Sequence, residues 1–76
     1  MTADQFEQLL EEFLSRRPFR PFLVELSTGE RFEIDHPRAV VLRGGFAVFL
    51  GPGTKIHYFD NDSVVQFIDE SHAAAT

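Results

Sequence analysis

Three histidines, His36, His57 and His72, are the first side chains of this chain that could do chemistry, because neutral imidazole is a common ligand for zinc. A zinc site wants three or four ligands converging from rigid elements. Only His36 and His57 fall in segments with a readable structure, and Asp35 or Asp60 would have to complete a set with them. A strand histidine followed by Pro37 reads more simply as a turn or surface residue, so no metal is expected. The run Asp60-Asn61-Asp62-Ser63 opens like a calcium loop, but the Gly and the distal Glu of an EF-hand are missing and Val64-Val65 occupy ligand positions. An Asx turn between strands accounts for it better.

Gly51-Pro52-Gly53-Thr54-Lys55 has the composition of a phosphate loop, yet it is shorter than a Walker motif, and a strand follows where that motif needs a helix N-terminus. A hairpin turn is the expectation there. There is no Cys, and neither Ser27 nor Ser63 lies in a pattern that supplies a base and an orienter for nucleophilic catalysis. With 76 residues, an enzyme would have to build its pocket between subunits. The chain therefore reads as non-enzymatic, with no catalytic residue, cofactor or metal.

The most distinctive segment is Arg16-Arg17-Pro18-Phe19-Arg20-Pro21-Phe22. It could serve as a Pro-x-x-Pro ligand for an aromatic groove, or as a basic and aromatic strip that stacks on single-stranded nucleic acid. Its structural reading is favoured. Pro18 stops a helix, Pro21 starts an edge strand, and Phe19 and Phe22 plug the junction between helix and sheet.

The elements that must position these groups follow from periodicity. Thr2 and Gln5 have the form of a capping box, and Phe6, Leu9, Leu10, Phe13 and Leu14 then make one apolar helical stripe. Glu7, Glu11 and Glu12 lie off that stripe, and Pro18 disfavours helix at the residue before it, which predicts a helix over about 3 to 16. From Pro21 the period changes to two. Phe22, Val24 and Leu26, then a Thr28-Gly29 turn, then Phe32 and Ile34 predict a first hairpin. His36-Pro37 breaks it. Ala39 to Arg43, the Gly44-Gly45 turn and Phe46 to Leu50 predict a second hairpin, apolar on both faces. Such a pair must be covered by the helix or by another subunit, since large exposed apolar patches seldom persist on a monomer. Lys55 to Phe59 and Ser63 to Ile68 complete the strands.

Composition bounds the class. A hydrophobic fraction of 43% with nine Phe is that of a folded protein, and without Cys its small core has no disulfide or thiolate staple. Oligomerisation is the staple that remains. The start lacks a basic and apolar leader and no stretch could span a bilayer, so a cytoplasmic location is expected. The net charge of −5 disfavours nucleic acid and anionic membranes. The acids Asp4, Glu7, Glu11 and Glu12 precede an arginine-bearing middle, and Asp60, Asp62, Asp69 and Glu70 close the chain. That layout could steer one subunit onto another, although ordinary solvated charge is the simpler reading.

Pro18-Phe19-Arg20-Pro21-Phe22, with Leu26 to Phe32, His36-Pro37 and the closing Val64 to Asp69, resembles a group of small uncharacterised bacterial proteins. Their pattern is a Pro-Phe-Arg-Pro-Phe opening, an Asp-Gly-Arg turn, a His-Pro-Glu step and a terminal strand ending in Ile-Glu. The turn Thr28-Gly29-Glu30 and the step His36-Pro37-Arg38 match that pattern in part, and the resemblance spans residues 16 to 70. It implies the fold boundaries and no activity. The order of one helix and about five short bent strands is also similar to the Sm-like proteins of the Hfq type, which close into rings that bind RNA. Their Tyr-Lys-His signature is absent here, and Asp60-Asn61-Asp62 stands in that region.

The sequence thus predicts an α+β domain over residues 1 to 70 and a frayed tail over 71 to 76. Its form would be an N-terminal amphipathic helix followed by a five- to six-stranded antiparallel sheet or a small SH3/Sm-like barrel. The expected function is a non-enzymatic protein-interaction module that self-associates as a homo-oligomer, with Arg16, Arg17, Phe19, Arg20, Arg31, Arg38 and Arg43 as candidate contacts to a protein partner. The alternative is an Sm-like RNA-binding ring, in which Arg16, Arg17, Arg20 and Phe19 would meet RNA first.

Overall fold

The computed structural model describes residues 1–53 and 55–69. The tail expected to fray from residue 71, together with His72, lies outside the described residues. The first element is helix α1, Ala3–Leu14, opened by a complete capping box. The Thr2 hydroxyl accepts the Gln5 amide at 3.1 Å, and the Gln5 side-chain oxygen accepts the Thr2 amide at 3.2 Å, so two otherwise orphaned donors are satisfied. Phe6 and Leu10 of the stripe are fully buried, Phe13 and Leu14 are half-buried against them, and Leu9 sits exposed at the rim. The helix ends at Leu14, two residues before the expected limit, with Ser15 as its cap. Arg16 is thereby freed to turn back, donating to Asp69 at 2.9 Å and to the Arg20 carbonyl at 3.3 Å.

Among the described residues six antiparallel strands follow: β1 (Phe22–Leu26), β2 (Arg31–Ile34), β3 (Val40–Arg43), β4 (Phe46–Leu50), β5 (Ile56–Asp60) and β6 (Val64–Asp69). A short 3-10 helix, Pro37–Ala39, separates β2 from β3. Both expected hairpins form, β1 with β2 and β3 with β4. The α+β class holds, but the single five- to six-stranded sheet and the closed SH3/Sm-like barrel do not. The strands form two three-stranded sheets, ordered β2-β1-β6 and β3-β4-β5. Two turns cause the division. His36-Pro37 leads into the 3-10 helix and carries the chain out of the first sheet, and the turn from Asp60 to Ser63 carries it back, so β6 pairs with β1. A bulge where Glu25 gives way to Leu26 lets Val64 point inward and Val65 outward.

The two sheets meet through aromatic rings. Phe32 of β2 packs against Phe49 of β4 and Phe59 of β5, with centroids 6.2 and 5.3 Å apart. Helix α1 joins both sheets, because Phe6 lies 5.8 Å from Phe59 and 6.0 Å from Phe67 of β6. The junction segment packs as a plug: Phe19 meets Phe22 edge-on at 6.3 Å, and Phe22 lies 4.7 Å from Phe13.

Asn61 clasps three parts of the chain. Its amide donates to the Gly45 carbonyl at 2.8 Å and its side chain donates to the Met1 carbonyl at 3.0 Å. A Cβ on Gly45 would fall 2.5 Å from Asn61 Oδ1 and 3.1 Å from the Ala3 methyl, so any side chain there must push the Asn61 amide out of the clasp. Gly45→Ala is therefore expected to lower stability by about 1–2 kcal/mol through loss of the Asn61 side-chain bond and local strain. Chemical denaturation of a double-mutant cycle checks this: most of the loss should vanish in an Asn61→Ala background, and full additivity would contradict it.

Candidate functional site

The inner and outer faces of the β3-β4-β5 sheet are both apolar, for different reasons. Cross-strand pairing sets which side chains share a face. Val40 with Phe49, Phe49 with His57, Leu42 with Ala47 and Ala47 with Phe59 line the inner face. The outer face carries three rows. The end row is Arg43, Phe46 and Asp60; the middle row is Val41, Val48 and Tyr58; the far row is Leu50 and Ile56. On this outer face Val41 is 63% exposed, Phe46 46%, Leu50 54%, Ile56 49% and Tyr58 65%. Phe46 and Tyr58 touch through rings 6.3 Å apart. Nothing in the chain's own described residues covers these side chains.

The outer face of the other sheet is different. Glu25 of β1 pairs with Arg31 of β2 at 3.6 Å and accepts a hydrogen bond from Gln66 of β6, which makes a polar ladder. This contrast singles out the β3-β4-β5 face.

The seven candidate contact residues are spread over four places in the fold. Arg16, Arg17, Phe19 and Arg20 belong to the junction after α1, Arg31 to β2, Arg38 to the 3-10 helix and Arg43 to β3. Arg16 is engaged internally: its guanidinium binds Asp69 and lies 4.5 Å above the Phe13 ring. Phe19 packs against the core and Arg31 pairs with Glu25. Arg17, Arg20, Arg38 and Arg43 are exposed, and Arg43 alone among the seven borders the apolar face. Ile56 and Tyr58, absent from the sequence-based candidates, are the residues that widen that face from two strands to three.

The titratable groups that could have held a metal are placed elsewhere. His57 is half-buried at the rim of the aromatic core, its ring stacked on Phe32 at 4.4 Å and on Phe49 at 5.7 Å. His36 is exposed before the 3-10 helix. Among the described residues no group of three or more His, Cys, Asp or Glu side chains could hold a metal ion. Two open depressions, of about 460 and 290 Å³, flank the C-terminal half of α1. Gln8, Glu11, Glu12, Leu14 and Ser15 line the larger, where the Ser15 hydroxyl donates to the Glu12 carbonyl at 3.3 Å, and Glu12, Phe13 and Arg16 line the smaller. Among the described residues no helix is long and apolar enough to cross a membrane.

Asp60 closes the apolar face and also makes the Asx turn expected at Asp60-Asn61-Asp62-Ser63. Its Oδ1 accepts the Ser63 amide at 2.8 Å, and the Ser63 hydroxyl donates to the Asp60 carbonyl at 3.1 Å. The hydrogen bonds from Ser63, side chain first and backbone second, hold the Asp60 carboxyl below its usual value of 3.8. A carboxyl whose folded pKa is depressed adds stability that is fully present above the unfolded value and lost as pH falls through the folded one. Wild type is thus expected to lose stability more steeply than Asp60→Asn below pH 3.8, where Asn keeps an acceptor but cannot titrate. Urea denaturation of both proteins from neutral pH into that acid range checks this, and parallel curves would contradict it.

Comparison with protein-family models, with curated proteins and with solved structures returned no match. The reading of function therefore rests on the geometry of this chain.

Proposed function

We propose that the protein is a small non-enzymatic interaction module that self-associates through the outer face of the β3-β4-β5 sheet. The observation that carries this reading is the set of five large apolar side chains, Val41, Phe46, Leu50, Ile56 and Tyr58, exposed together on one face of one sheet. Removing apolar area from water is the general driving force for association, worth about 25 cal/mol per Å² before the costs of ordering. Aromatic residues supply much of that energy where they are buried in a contact, and Phe46 and Tyr58 stand against one another on this face.

Sedimentation equilibrium over a wide concentration range tests the proposal, run with and without single-stranded RNA at two salt concentrations. The expected result is a reversible, concentration-dependent dimer that ignores RNA. A higher ring whose RNA affinity falls steeply with salt would contradict it and favour the RNA-binding alternative. A monomer at every concentration would contradict both.

A further inference from the structure

Resting on that reading, we infer that the occupant of the apolar face is a second copy of this chain, packed face to face about a two-fold axis along β4, so that Arg43 of each subunit meets Asp60 of the other.

The register of the sheet carries this arrangement. Arg43 and Asp60 stand at the two ends of one cross-strand row with Phe46 between them, Arg43 on one edge strand and Asp60 on the other. They lie two strands apart, roughly 10 Å in the ladder direction, and among the described residues no ion pair joins them within the subunit. A two-fold axis along the central strand exchanges the edge strands and keeps each row at its own height. It sets β3 of one copy over β5 of the other, which superposes Arg43 on Asp60 of the partner subunit twice. The same operation lays Phe46, Val48 and Leu50 over their own counterparts and Val41 over Tyr58 of the partner subunit. Every outer-face charge then finds its opposite and the apolar residues between them meet one another.

The other face-to-face two-fold, with its axis across the strands, inverts the order of the rows. It keeps each strand over the same strand of the partner subunit, laying Phe46 on Leu50 and Asp60 on Ile56 and setting Arg43 over the far end of β3, so neither charge meets its opposite. Charge complementarity therefore selects the first axis. Packed sheets of this kind cross at about 30° because each is twisted, which keeps the end row close to alignment. An isologous contact is also self-limiting, since one copy covers the whole patch of the other and closes the assembly at two.

Size sets the strength. Three strands of about five residues present a footprint of roughly 15 by 15 Å. That lies below a standard specific interface and in the range of weak, transient contacts, so a dissociation constant on the order of micromolar or weaker is expected.

The test compares the wild-type chain with Arg43→Glu and Leu50→Lys by sedimentation equilibrium at low and high salt, with thermal melts of each to verify folding. If the arrangement holds, wild-type affinity falls as salt rises. Arg43→Glu, which opposes Asp60 of the partner subunit with a like charge, binds roughly ten-fold or more weakly at low salt, and its affinity rises with salt. If Leu50→Lys is monomeric but Arg43→Glu matches wild type in affinity and salt response, the two-fold along β4 is wrong while the apolar face remains the interface. If neither variant changes an observed dimer, or if wild type stays monomeric up to about 1 mM, both the arrangement and the reading beneath it fail.

Discussion

Phe6→Ala is expected to lower stability by about 3–5 kcal/mol, the largest effect of any single substitution considered for this chain. Phe6 is fully buried and is the side chain by which α1 touches both sheets, through Phe59 on one and Phe67 on the other. Truncation removes the transfer energy of the ring and leaves a cavity that rigid β-sheet neighbours fill poorly. It also leaves Leu10 as the sole fully buried residue of the helix. For a domain of this size each kcal/mol moves the melting temperature by about 4–8 °C, so a fall of roughly 15–30 °C is expected. Thermal and urea denaturation followed by circular dichroism measure it. A fall of only a few degrees would mean that the helix is not what ties the sheets together.

The second large effect falls on association and leaves folding intact. Leu50→Lys places an ammonium group in the far row of the apolar face, beside Ile56 and, in the proposed dimer, opposite its own counterpart. Two like charges brought together in a dewetted contact cost several kcal/mol, so dimer affinity is expected to drop by roughly 100-fold or more. Leu50 is more than half exposed and packs on nothing in the core, so the melting temperature of the monomer should stay within a few degrees of wild type. Sedimentation at matched concentrations reads the first quantity and a melt at low concentration reads the second. Loss of association with an unchanged fold is the signature of a contact face; a variant that unfolds would place Leu50 in the core.

Much of this fold is written locally in the sequence. The Thr2 and Gln5 pair and the Phe6 to Leu14 stripe mark α1 because capping and a near-four period are properties of consecutive residues. The hairpins are legible for the same reason, since Thr28-Gly29 and Gly44-Gly45 fix turns between alternating strands. The division into two sheets is not local. Pairing of β6 with β1 brings together Gln66 and Glu25, 41 residues apart, and no pattern within either strand names its partner. The Asp60 to Ser63 turn illustrates the limit: its Asx chemistry is readable, but whether the chain then pairs back or crosses to the other sheet depends on where Val64 finds burial.

The candidate site divides in the same way. The second hairpin's two apolar faces were visible in Val40 to Leu42 and Phe46 to Leu50, and they are what raised self-association as an expectation. The contribution of Ile56 and Tyr58 required knowing that β5 lies beside β4. Arginine exposure was the weaker guide, because a guanidinium is as ready to serve the fold as a partner. Arg16 binds Asp69 and the Arg20 carbonyl, Arg31 pairs with Glu25, and Arg43 acquires a special place only through the row it shares with Phe46 and Asp60.

The most direct test of the proposed contact face is a dilution series followed residue by residue in amide NMR spectra. If the outer sheet face is the contact, shifts that move with protein concentration will concentrate on β3, β4 and β5, at Val41, Phe46, Val48, Leu50, Ile56 and Tyr58, while α1 and the β2-β1-β6 sheet stay still. Concentration-dependent shifts confined to α1 or to the Arg16 to Phe22 junction, with the β3-β4-β5 sheet unmoved, would contradict it.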